Sequence, residues 1–84
     1  MNEQYLLKAK ALAARYAADK TQRMQIAAEL RKLQPEILKA TLSSPNYSEA
    51  AIGQEALSIC HQLRRRIAED ASEELGIYVR PSDV

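Results

Sequence analysis

Cys60 and His61 are the residues of this chain best suited to nucleophilic or metal chemistry, and they are adjacent. Neighbours on a helix point about 100° apart, so the two cannot share a metal ion. No other cysteine or histidine occurs in the 84 residues to complete a zinc site. A Cys–His nucleophile also needs facing side chains and a third group to orient the base. The spacing makes Cys60 a small core filler and His61 a boundary residue. Carboxylates are plentiful, but none stands in a glycine-rich or loop context that would build a pocket. There is no phosphate-cradling glycine loop and no serine elbow. The sequence thus carries no catalytic residue, no metal ligand and no cofactor motif, and neither an enzyme nor a small-molecule substrate is expected.

The other chemically suggestive stretch is LRRRIAED, residues 63–70. Three consecutive arginines, Arg64, Arg65 and Arg66, could hold a phosphate backbone. On a helix they fan over about 200°, so they do not make one flat basic patch. Arg65 can reach Glu69 and Arg66 can reach Asp70, each one turn on, in pairs worth about 0.3–0.5 kcal/mol. The bland reading is a solvated, self-paired helix face. Arg23, Arg64 and Arg65 remain the candidates for contact with a nucleic acid or an acidic partner. A helix-turn-helix is excluded, because only residues 80–84 would be left for the recognition helix after the turn at Gly76.

These residues sit on elements that composition makes helical. Ala, Leu, Glu, Gln, Lys and Arg dominate, and there are only two glycines and three prolines. The charged fraction is 27% and the hydrophobic fraction 46%, as in a folded domain. Net charge is +1, which selects neither for nor against a polyanion. The first half carries eight Lys/Arg and four Asp/Glu; the second carries four and seven. No apolar run approaches the roughly 18 residues that span a bilayer, so no membrane partner is expected. Lys8 and Lys10 interrupt any signal-peptide core, and a lone cysteine suits a reducing cytoplasm.

Apolar residues at Tyr5, Ala9, Leu12 and Tyr16 mark one helical seam. Continued at the same spacing, the count lands on Asp19 and Arg23, then on Ile26, Leu30, Leu33 and Ile37. The preserved register favours one helix over about residues 3–33; the alternative is a break near Asp19–Thr21, with Asp19 and Gln22 as a capping box. Pro35 implies a kink or break, then a short helix over about 35–42. SSPNYSE marks a turn at 43–46, where Asn46 with Glu49 fits a capping box. A second long helix follows over about 47–75, its stripe running through Ile52, Ile59, Leu63 and Ile67. Gly53 inside it implies a close backbone approach, and Gly76 a left-handed cap with Ile77 folding back. Residues 78–84 read as an extended tail.

The expected fold is all-α: one helical domain over 1–77 in the form of a long antiparallel hairpin, three helices if the chain breaks. Juxtaposed ends would set Asp70, Glu73 and Glu74 near Arg15 and Lys20. So short a chain has a marginal core, and two helices leave part of each stripe wet. Oligomerisation into a helical bundle would cover it, as a homodimer or with a helical heteropartner. The expected interface is Tyr5, Leu12 and Tyr16 with Ile26 and Leu30 on the first half, and Ile52, Ile59, Leu63 and Ile67 on the second. Tyrosines on such stripes are expected as interface anchors. The function that follows is a non-enzymatic helical interaction module: an adaptor, regulator or chaperone-like protein. The alternative is a small dimeric nucleic-acid-binding regulator using the basic residues of the first helix and Arg64–Arg66.

Overall fold

A computed structural model describes all of residues 1–84. It is all-helical, with three packed helices and no strand: α1 (Glu3–Ala18), α2 (Arg23–Leu42) and α3 (Tyr47–Leu75). At 1.5 Å per residue α3 is about 44 Å long, and it sets the 45 Å long dimension of the molecule. The start of α1 meets the turn between α2 and α3 through Asn2, Ser44 and Glu49. Its end meets the late part of α3 through Tyr16 and Asp70. The helices therefore run up, down and up. Both α1 and α2 pack chiefly on α3.

The chain breaks at Asp19, so the continuous helix over 3–33 is not formed. Asp19 is extended, with φ −150° and ψ 97°, and its carboxylate accepts the backbone N–H of Thr21 at 3.0 Å. A 3-10 turn, Lys20–Gln22, then leads into α2. The physical reason lies in the seam itself. Asp19 and Arg23 occupy two successive core positions, and burying both would strand two charges. Turning the chain there puts Asp19 in water and lets α2 fold back. Hydrogen bonds from Thr21 hold the Asp19 carboxyl below the usual carboxylate range.

Pro35 does not break α2. It lies exposed on the outer face, where its ring meets solvent and only the carbonyl one turn earlier loses its donor. Leu30, Leu33 and Ile37 on either side are buried and keep the axis pinned. That burial outweighs the local loss of about 3 kcal/mol expected for an interior proline.

The start of α3 is the capping residue expected. Asn46 Oδ1 accepts the backbone N–H of Glu49 at 2.9 Å. The Glu49 carboxylate does not return to Asn46; it accepts the backbone N–H of Asn2 at 3.0 Å instead. Gly76 ends the helix with φ 70°, the left-handed region. Ile77 does not fold back and is exposed. The closing contact comes from Ser72, whose Oγ accepts the Val79 N–H at 2.8 Å. The tail is held down too: it forms a 3-10 turn, Pro81–Asp83, and Val84 joins the core.

One core runs the length of the bundle. It holds Ala9, Leu12 and Tyr16 of α1, Ile26, Leu30 and Ile37 of α2, and Ala56, Cys60, Leu63 and Ile67 of α3. Gly53 is buried where α2 and the N-terminus cross α3. A side chain there would overlap Thr41 Oγ1 and stand 3.0 Å from Thr41 Cβ and 3.1 Å from Asn2 Nδ2. The approach is close as expected, but it is made by side chains and not by another backbone.

Candidate interaction surface

The apolar residues expected at an interface between chains divide into two groups. Leu12, Tyr16, Ile26, Leu30, Leu63 and Ile67 are buried within the single chain. The break at Asp19 is the cause: α2 folds onto the stripes that a two-helix hairpin would leave wet. Tyr5, Ile52 and Ile59 are half-buried. Tyr5 also lies beneath the Lys8 ammonium, 5.7 Å from ring centre to Nζ. Tyr47 is almost fully exposed and packs on nothing.

The basic candidates are equally divided. Arg23 is engaged, its guanidinium 2.6 Å from the Glu74 carboxylate. Lys20 reaches Asp70 at 3.7 Å, so the two ends meet in opposite charge as expected. Arg15 turns instead to Glu29 of α2 at 2.7 Å and to Gln22. Neither pair within LRRRIAED forms. Asp70 is drawn inward, accepting the Tyr16 hydroxyl at 2.5 Å, which removes it from Arg66. Arg65 and Glu69 both point into solvent without bridging. Arg64 leans over the core edge and donates from Nη2 to the Val84 carbonyl at 3.2 Å.

Buried groups with shifted titration are structural. The Tyr16 hydroxyl is pushed up to about 12, by burial first and by its bond to Asp70 second. Burial likewise pushes the Cys60 thiol up, which disfavours the reactive thiolate. His61 is exposed while Cys60 is buried, so the two share no site. No three metal-ligating side chains converge. No helix is long and apolar enough to cross a membrane.

Several open grooves border α3, among them one with α1 and one with α2. That with α1, about 440 Å³, is floored by Ala13, Ala17 and Leu63, with Ile59 beside it. That with α2, about 510 Å³, runs from Arg31 and Arg64, past His61 and Pro35, to Leu38 and Leu57. Leu42 continues it one turn beyond Leu38 on the same face of α2.

No family model, curated protein or solved structure matches the chain.

The apolar face of Leu38 and Leu42 was missed by the sequence count, which followed a single seam and assigned α2 to Ile26, Leu30, Leu33 and Ile37. The signal was present: Arg31, Pro35, Leu38 and Leu42 recur at helical spacing as a second, neighbouring stripe. Asn2 was also missed. It is fully buried and donates from Nδ2 to Ser44 Oγ at 3.0 Å and to the Glu49 carbonyl at 2.7 Å. Nothing local to MNEQ announces that role.

Proposed function

We propose that this chain is a non-enzymatic helical interaction module that clasps a helical partner, another protein or a second copy. The observation that carries this reading is the outer face of α2. Leu38 is 50% exposed and Leu42 79% exposed, although Leu33 and Ile37 of the same helix complete the core. Scattered exposed leucines are ordinary, but two in register beside an open groove make a contiguous apolar surface. A helix laid in such a groove is a recurrent mode of recognition. The core already closes within one chain, so association serves binding here rather than completion of the fold. A cytoplasmic home goes with this reading, because a lone cysteine stays reduced there.

Sedimentation of fluorescently labelled protein, with and without an extract of its source cells, tests the reading. The expected result is a heavier species that is lost in a folded Leu38→Glu, Leu42→Glu variant. Identical sedimentation of wild type and variant would overturn it.

The second reading, nucleic-acid binding, is favoured by one observation: Arg65 and Arg66 lack the carboxylate pairs that would neutralise them. Such binding should weaken steeply as salt rises. No shift with DNA or RNA at low salt removes it.

A further inference from the structure

We infer that the α2–α3 groove is built for an acidic, apolar segment of a partner protein, folded as an amphipathic helix. The inference rests on the interaction-module reading and adds the partner's chemistry. Charge comes first. Arg31, His61 and Arg64 line the cleft, and no carboxylate does. Arg31 makes no ion pair. Asp83 lines the adjoining hollow and is held by Arg80 at 3.3 Å. Arg31, which pairs with no carboxylate, and Arg64 therefore sit at one end and Leu38 with Leu57 at the other. From Arg31 to Leu38 the groove extends about 10 Å along α2, two helical turns.

The chain's own tail borders the next stretch of the α2–α3 surface. Beyond Arg31 the same α2–α3 furrow continues along Met24, Ala27 and Ile67. There Val79, Asp83 and Val84 of the tail form one wall of an open hollow of about 230 Å³. Val84 is only 8% exposed, and its carbonyl takes the Arg64 bond. The tail thus walls one side of that hollow with two valines and one carboxylate, and Arg31 is common to the hollow and the open cleft. Two unpartnered polar atoms add to this. Gln34 Oε1 and Arg64 Nε are buried, have no hydrogen-bond partner, and belong to side chains lining the open cleft. A ligand carrying a donor and a carboxylate would pair both atoms.

A peptide-display selection against the folded protein tests the inference. The enriched peptides should be net negative, with apolar residues spaced three and four apart. Synthetic versions should bind Arg31→Glu and Leu38→Ser at least tenfold more weakly than wild type, and should weaken as salt rises. Both residues are exposed, so circular dichroism should show both variants folded. Enrichment of neutral or basic peptides, undiminished binding to Arg31→Glu, or no enrichment would overturn the acidic-partner assignment. Should the Leu38- and Leu42-dependent complexes in the sedimentation experiment persist in that case, the interaction reading survives without it. Loss of both results removes the two together.

Discussion

The Tyr16 hydroxyl donates to Asp70 at 2.5 Å and so ties the last turn of α1 to the end of the core stripe on α3. Tyr16 is 3% exposed, and Asp70 receives Lys20 as a second partner at 3.7 Å. The Tyr16–Asp70 bond joins α1 to α3 and takes Asp70 away from Arg66.

Alkaline titration reads that bond. The Tyr16 hydroxyl, pushed up to about 12, lies above the ordinary tyrosine value of 10.0. The raised value means the protonated form is favoured by folding. Its contribution is fully present below about pH 10 and is lost as pH rises toward 12. Urea melts between pH 8.5 and 11.5 should show stability falling in that window. Tyr16→Phe should lower stability at pH 8 by about 1–2 kcal/mol, the loss of a hydrogen bond to a charged group. It should also flatten the alkaline fall. A variant as pH-sensitive as wild type would show that other groups cause it.

Gly53 gives the second prediction. Alanine in a helix interior is ordinarily better than glycine by about 1 kcal/mol. Here the added methyl would drive Thr41 off its bond to the Ile37 carbonyl, 2.7 Å long, and press on Asn2. Gly53→Ala should therefore destabilise by about 1–3 kcal/mol in chemical denaturation. Thr41→Ala in the same chain should restore part of the loss, because the hydroxyl overlap goes while the contact at 3.0 Å remains. A stabilised single variant would mean that α2 does not cross α3 at this point.

How far the fold could be read from the residues depends on the range of the interactions concerned. Asn46 and Gly76 are local devices, set by their own backbone and a neighbour three or four residues away, and both are legible. The stripe on α3 is legible for the same reason. The break at Asp19 was misjudged because the heptad count survives across it. The register of Ile26 through Ile37 continues that of Tyr5 through Tyr16, yet the two seams face the same core from opposite directions. The two charged residues in the gap carried the information. Pro35 was misjudged in the other direction, since an exposed proline between buried Leu33 and Ile37 yields to tertiary packing. Asn2, Val84 and the Leu38 face depend on contacts tens of residues away. No local pattern encodes which side of α2 remains open.

Cys60 gives a third prediction. It is fully buried and its thiol is pushed up by desolvation. Labelling by a disulfide reagent at pH 8 should be at least about 100-fold slower in the folded protein than in 6 M urea. The rate should rise in Gly53→Ala in step with the lost stability, since opening exposes the thiol. Rapid labelling of the native chain would contradict the core as described.

The central claim is that the outer face of α2 meets another protein. Site-specific photo-cross-linking in the source cells tests it most directly. A photoreactive residue is placed at Leu38, at Leu42 and, for contrast, at Glu55 on the exposed face of α3. The account predicts discrete protein adducts from positions 38 and 42 and none from 55. No adduct at 38 and 42, or the same adducts from all three positions, would contradict it.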